Sequence, residues 1–577
     1  MFILTPLLSI FSFVTSSFLN WEKISMSPSN AELTFEVLLK QNNVALLEYE
    51  LNRRANPVSK YYGQWLSKNK IDDILYRDPS PELLLWLDDP NLSCIYDVDN
   101  VICTSTVKFL NNFFNTEIDT YRHIETNKYV FSGIDKGFSI PDHLYNDIDI
   151  VLGIADFPDS VFKKNLTPSK LTDDSYIISP ESIRSLYNMN ASYNTSNVSS
   201  QSVAEFINDN CFNLDDLNTF LKDNNKPPVN ISTKNFWATC DMNTSSPDVE
   251  ASLDIQYQTG VNYDSELYYV SVSDWLYQFA NELYLSNDPP KVVSISYGWA
   301  EWDQCDPSVF PNCNITGNSR SYAKRTNTEF MKLSLRGISL FASSGDAGAP
   351  GRTSEQCDSE RPLNPAFPAS SPWVTAVGGT IIENSSKLEN PKTPLCKKNT
   401  CIGGGDEINC NIDRCQWTAG GGFSNFFPSP WWQADLAKKY LNSSVVFPPN
   451  KFFNNSGRIY PDVSLVSHNF IINTNGMYGT VDGTSASSPS VSGMFSILNN
   501  YRVSSGKSTL GPLGPLLYHI YEKCPDCFKD ILVGSNNSTE ESECKWGYTA
   551  TKGFDAVYGL GTPNFNKIYT FIKNLEF

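Results

Sequence analysis

In the stretch 478–493, YGTVDGTSASSPSVSG, Ser485 lies in a turn of small residues, and Pro489 opens an amphipathic run, SVSGMFSILNNYR. A glycine turn that delivers a serine to a helix N-terminus exposes a nucleophile, and a nucleophilic hydroxyl needs a group to take its proton. Histidine is the usual base, yet none of the four here, His123, His143, His468 and His519, has a setting such as a His-Gly-Thr helix start. Carboxylates are better placed. PDVEASLDIQYQTG carries Glu250 and Asp254 at i and i+4, which sets both on one face of a helix. A lone Glu-x-x-x-Asp is an ordinary solvated face, but Val249, Leu253, Ile255 and Tyr257 flank these acids and predict partial burial. Two carboxylates held close cannot both ionise cheaply, so one pKa is driven up. A carboxylate titrating near ~4.3 still works as a base at about pH 4–5, where a free imidazole (~6.5) is mostly cationic. The implied chemistry is a Ser–Glu–Asp relay for an enzyme working in acid.

Two further sets of acids bear on that chemistry. In FASSGDAGAP, Asp346 follows an apolar run between Gly345 and Gly348. Aspartate after a strand is a common turn former; as a protonated acid it would instead donate to a developing oxyanion beside the Ser485 N–H. Near the C-terminus, FKDILVG and YTATKGFDAVYGLGTPNF hold Asp530 and Asp555. With the carbonyls of Ile531, Thr551 and Gly553 they would supply hard oxygen ligands of the kind Ca²⁺ takes, although no contiguous calcium loop is present and paired aspartates near turns are common.

The elements that must position these residues read as α/β from about 178 onward. KVVSISYG and ISLFASSGD are apolar runs ending in glycine turns, as buried parallel strands do. NTEFMKLSLRG between them has helical period and ends at Gly337. Alternation of this kind predicts a doubly wound parallel sheet with its site at the carboxyl ends of the strands. Before it, residues 18–160 mix helical and strand patterns, including NNVALLEYELNRRAN and PELLLWL, and predict a separate α+β unit. A Ser/Thr/Asp/Pro-rich linker, 161–177, joins the two. Residues 1–17, apolar and ending in small residues, read as a secretory signal peptide, and no later run has the length of a membrane span.

Composition fits that route. A 577-residue chain with 40 % hydrophobic residues supplies core for two folded units. Its formal charge of −19 and pI near 4.7 argue against nucleic acid as a partner. Thirteen Asn-x-Ser/Thr sequons and 14 cysteines fit a disulfide-bonded glycoprotein. Cys94/Cys103, Cys305/Cys313, Cys396/Cys401 and Cys410/Cys415 are spaced as local loops, and CPDC at 524–527 reads as a structural bridge in preference to a redox motif.

Taken together, these segments resemble the sedolisin (serine-carboxyl peptidase) family, within it most closely the tripeptidyl-peptidase branch. ANPVSKYYGQWLS resembles its pro-domain signature and ISPESIRSLYNM the start of its mature enzyme. EASLDIQY, SISYG, SSGDAG, TAGGGFSNFFPSPWWQ, GRIYPDVSL, DGTSASSP and GFDAVYGLGTPNF follow in family order. The resemblance implies a subtilisin-like α/β fold for 178–577, behind a pro-domain that acts as chaperone and inhibitor. Acid would trigger self-cleavage near residues 172–178, leaving a mature enzyme that starts around Ile177. It also implies Ser485 as nucleophile, Glu250 as general base, Asp254 as the acid orienting it, Asp346 in the oxyanion hole, and Asp530, Ile531, Thr551, Gly553 and Asp555 around one structural Ca²⁺. The glycine run at 420–422 fits a peptide-binding edge. The implied activity is removal of tripeptides from free N-termini of unfolded polypeptides in a lysosomal or secreted acidic compartment.

One departure bears on that activity. The branch carries an acidic residue after Ser-Tyr-Gly, whereas this chain has Trp299, with Glu301 and Asp303 close behind. An exopeptidase must hold a free ammonium group with a carboxylate, so an endopeptidase of the same mechanism is the alternative. A binding glycoprotein without activity is a further one, disfavoured because all four expected catalytic side chains are present.

Overall fold

The computed structural model of the chain describes residues 21–575, apart from 125–126, 128, 157–175, 190–197, 207–210, 273, 306–312, 314–316, 355–356 and 358–360. The predicted leader, 1–17, and residues 161–175 of the predicted linker lie outside the described residues.

Up to residue 156 the chain builds an α+β unit. Its four-stranded antiparallel sheet runs in the order Ser93–Tyr96, Asn100–Thr106, Glu32–Leu39, Ile148–Leu152. Strand alternation in ELTFEVLL sends Phe35, Val37 and Leu39 into this unit's own core, with Val101, Val107 and Leu110. Leu38 points the other way, into a core shared with the larger unit. Leu47, Leu51 and Ala55, four apart on the Val44–Ala55 helix, join that shared core and meet Tyr322, Phe330 and Leu333 of the Ser319–Leu335 helix.

The segment ANPVSKYYGQWLS fastens the docking. Tyr62 Oη donates to the Leu510 carbonyl (3.3 Å), Trp65 Nε1 to that of Thr509 (3.0 Å) and the Leu66 N–H to that of Leu335 (2.8 Å). Charge reinforces it. Buried Asp99 of the N-terminal unit lies 3.2 Å from Arg325 and 3.5 Å from Lys332. Burial works against ionisation there, but Lys332 and Arg325 hold Asp99 down at about 2.

The larger unit is organised by a parallel sheet in the order Val463–Val466, Thr375–Lys387, Ser339–Ser343, Val292–Ile295, Ser200–Phe206, Glu266–Val272, Phe236–Trp237. The outer half of Thr375–Lys387 also takes an antiparallel partner, Ile402–Ile408. Both apolar runs singled out in the sequence are central, fully buried strands. The helix read from NTEFMKLSLRG is the end of Ser319–Leu335, with Gly337 at φ +77° closing it. Ser200–Phe206 has Glu266–Val272 on one side and Val292–Ile295 on the other, so the winding reverses there. Such a reversal opens a crevice at the carboxyl ends of the strands.

Ile177 and Ile178 are fully buried in this unit. Ile177 exchanges backbone hydrogen bonds with Thr400 and Ile402, and Ile178 with Asn469 and Ile471. All 14 cysteines are paired. The four local loops and Cys524–Cys527 form as the spacing suggests, joined by Cys211–Cys240 and Cys357–Cys544.

Candidate active site

Ser485 is the second residue of the Thr484–Ser504 helix, which starts five residues ahead of Pro489. The expectation that Pro489 opens this helix is therefore corrected. Gly483 makes the earlier start possible: its φ of +123° suits glycine alone, and a Cβ there would lie 2.9 Å from Asp346 Oδ2. Pro489 has no N–H to give the carbonyl four residues back, that of Ser485. The Ser296 hydroxyl, directly after the Val292–Ile295 strand, supplies the missing donor at 3.3 Å. The Ser485 hydroxyl in turn donates to the Ser296 carbonyl at 3.4 Å. In the uncleaved chain the proton of Ser485 is thus parked on backbone.

Asp346 follows the Ser339–Ser343 strand. Its Oδ1 accepts the Thr484 N–H (2.7 Å) and the Thr484 hydroxyl (2.8 Å), and the Gly345 N–H donates to that hydroxyl (3.1 Å). The carboxyl therefore sits at the positive end of the helix carrying Ser485, one residue from it.

Glu250 and Asp254 share the Val249–Val261 helix, as their spacing predicts. Asp248 caps it, accepting the N–H groups of Glu250 (2.9 Å) and Ala251 (3.2 Å). Every residue from Ala251 to Val261 is buried, because the helix lies against Thr484–Ser504, with Gln258 Nε2 donating to Ser492 Oγ at 2.9 Å. Tyr257 fixes it from the other side, its hydroxyl bonding the carbonyls of Ile178 (2.7 Å) and Ile471 (2.8 Å). Asp254 is fully buried. Burial, then the neighbouring Glu250 carboxylate, push its pKa well above the ordinary range, and the nearby Ser296 hydroxyl opposes the rise. Ser296 thus neighbours both Asp254 and Ser485. Sequence reasoning missed it, although the proline four residues after Ser485 was the signal that a donor was needed.

The histidines stay out of this arrangement. His123 is buried in the N-terminal unit with its ring against Trp21, His143 lies in the Asp142–Asn146 turn, and His519 faces Phe571. His468 pairs with Asp482 at 3.0 Å. The glycine run differs from expectation. Gly420, Gly421 and Gly422 are buried, and a Cβ on Gly420 would fall 2.1 Å from the Ser344 carbonyl. Close packing against the chain's own backbone accounts for Gly420 and Gly421, and against the Tyr548 ring for Gly422, instead of an open edge for peptide. Trp299 is nearly buried, in the shared core. Glu301, fully buried, accepts the Ser424 hydroxyl and the Asn425 N–H (2.7 Å), and burial pushes it up to about 7. Asp303 accepts from Thr353 (2.6 Å) and Asn364 (2.9 Å).

The residues expected around a cation do come together. The Gly553 N–H reaches Asp530 (2.7 Å), and Asp555 accepts the N–H groups of Thr551, Val557 and Tyr558 (each 2.9 Å). Burial pushes Asp555 up to about 7, and Asp530 adds to the rise. Among the described residues neither acid forms an ion pair with lysine or arginine. Two neighbouring carboxyls are hard oxygen donors of the kind Ca²⁺ takes, and the backbone groups seen on them here are N–H donors. No group of three or more His, Cys, Asp or Glu gathers among the described residues, so any metal here would rely on carbonyl oxygen.

A parallel sheet of this order, a serine at the start of a buried helix and a docked N-terminal unit define a subtilase-type serine peptidase carried as a zymogen. Comparison with known proteins agrees. Residues 19–157 match the Pro-kumamolisin activation domain, and 239–510 match the subtilase family. Physarolisin of Physarum polycephalum is 34 % identical over 582 residues, covering 99 % of this chain and all of that one. Tripeptidyl-peptidase 1 of Homo sapiens is 29 % identical over 583 residues, covering 96 % and 94 %. Pseudomonas sedolisin, a serine-carboxyl proteinase solved with pseudo-iodotyrostatin, superposes with a TM-score of 0.53 at 22 % identity over 70 % of this chain and all of that one, a likeness of fold. The chain belongs to the sedolisin family of serine-carboxyl peptidases.

Proposed function

We propose that this peptidase works in acid through Ser485 as nucleophile, Glu250 as general base, Asp254 as the acid that orients Glu250, and Asp346 as oxyanion donor. The observation that carries the reading is the Glu250/Asp254 pair on one helix face, with Asp254 driven well above its ordinary pKa by burial and by Glu250. Ser485 Oγ would attack the peptide carbonyl carbon while its proton passes to Glu250. The new oxyanion would receive hydrogen bonds from the Ser485 N–H and a protonated Asp346. Collapse would break the C–N bond, and Glu250 would return the proton to the leaving amine. Water would then repeat the sequence on the acyl ester, releasing product and free serine. Asp530 and Asp555, with carbonyls of Ile531, Thr551 and Gly553, would hold one Ca²⁺ whose part is structural.

On substrate, the leading reading is removal of tripeptides from free N-termini of unfolded polypeptides, supported by tripeptidyl-peptidases among relatives aligned over almost the whole chain. A second reading, endopeptidase, has a specific observation behind it. Trp299 replaces the expected acid, Glu301 is buried, and Asp303 is engaged by Thr353 and Asn364. Acid-matured enzyme given matched peptides with free and acetylated N-termini decides: tripeptides from the free peptide alone support the first, internal cuts in both the second. The seven disulfides support an oxidising route and an acidic lysosomal or extracellular destination.

A further inference from the structure

We propose that Asn536 is a positioning residue for the reaction, holding the turn that carries Asp346; this rests on the oxyanion role given to Asp346 above. Asn536 is 1 % exposed and spends every polar group it has. Its N–H donates to the Tyr548 carbonyl (3.0 Å) and its carbonyl accepts the Ala349 N–H (2.9 Å). Its Oδ1 accepts the Tyr548 N–H (2.8 Å), and its Nδ2 donates to the carbonyls of Gly421 (3.1 Å) and Ala556 (3.2 Å).

Those partners bracket Asp346. Ala349 lies three residues after it. On the other side the Thr418 N–H donates to the Asp346 carbonyl (2.9 Å) and the Gly420 N–H to that of Gly345 (2.7 Å). The turn is therefore clamped between the segment 418–421 and the loop around Asn536. Space is matched as closely as polarity. A Cβ at Gly348, which has φ +57°, would sit 2.1 Å from the Ser538 carbonyl; one at Gly421 would sit 2.2 Å from that of Ala556. Cys357–Cys544 ties the chain that follows the Asp346 turn covalently to the segment that follows Asn536.

Side-chain chemistry explains the choice of residue. One acceptor and two donors on a short planar group serve three backbone partners on two segments, which neither aspartate nor alanine does. Asn536 also opens a sequon, Asn-Asn-Ser, yet an amide with both hydrogens bonded inside the protein has no room for a glycan.

The test compares acid-matured Asn536→Ala and Asn536→Asp with Asn537→Gln, a neighbour whose amide bonds Cys544 in the same loop (3.1 Å). Each is assayed for kcat, KM, thermal midpoint and inhibition by a peptide aldehyde, whose hemiacetal oxygen occupies the oxyanion position. The Asn536 variants should lose about tenfold or more in kcat with KM within about twofold, and bind the aldehyde weaker by the factor lost in kcat/KM. Asn537→Gln should lose stability without that loss of kcat. Wild-type kcat and aldehyde affinity in either Asn536 variant, a kcat that follows thermal midpoint across all three, or a glycan on Asn536 in the wild-type protein overturns the inference. Should neither Asn536 variant mature, the glycopeptide measurement alone decides. Asp346→Ala run alongside separates the layers: if it retains wild-type kcat, the oxyanion reading itself has failed.

Discussion

Ser296 and Ser485 exchange hydrogen bonds through hydroxyl and carbonyl at 3.3 and 3.4 Å, and the first of them fills the place of the N–H that Pro489 lacks. Ser296→Ala should leave the Ser485 carbonyl without a donor and take a polar neighbour from Asp254. The expected result is a stability loss of about 1–3 kcal/mol together with a fall in kcat of about tenfold. Adding Pro489→Ala restores a backbone N–H to that carbonyl, so thermal unfolding should recover while kcat stays low. Recovery of both would reduce Ser296 to a helix bond.

The precursor should be more stable in mild acid than near neutrality. Burial raises Glu36 and Glu301 to about 7 each, above the ~4 expected of an unfolded chain. A raised pKa contributes stability that is whole below the unfolded value and is lost as pH rises through the folded one. Thermal midpoints from pH 5 to pH 7.5 should therefore fall, and Glu301→Gln should flatten that slope. Asp99 has the opposite sign: held at about 2, its contribution is present above ~4 and fades as pH drops toward 2.

Added Ca²⁺ should raise the thermal midpoint, by the equivalent of about 2.7 kcal/mol at a hundred times Kd. Asp555→Asn should abolish the response, and calorimetry should give one ion per chain. Unchanged melting with and without a chelator would remove calcium from the account.

Acid maturation should leave a chain that begins no later than Ile177. Ile177 and Ile178 are zipped between Thr400–Ile402 and Asn469–Ile471, and Ile178 accepts from Tyr257 on the helix of the acid pair. N-terminal sequencing checks this directly, and a mature chain starting after Ile177 would contradict it.

Much of this arrangement was legible in the sequence because it is local. The i, i+4 acids, the apolar runs before SYG and SSGDAG, and the close cysteine pairs each declare themselves within a few residues. What escaped depends on contacts between distant segments. Nothing near Ser296 says that it completes a helix 189 residues on, and the glycine run looked like an open strand because the Ser344 and Ala556 carbonyls that fill its space lie elsewhere in the chain. Pro489 misled for a related reason. A proline normally marks a first turn, and only a donor from outside lets the helix begin earlier.

The central claim is that a carboxylate takes the proton of Ser485. Acid-matured Glu250→Gln mixed in excess with a peptide ester at about pH 4, with acylation followed in a single turnover, tests it most directly. Acylation should slow by about 10²–10⁴-fold with folding and ester binding intact. Acylation at the wild-type rate would contradict it.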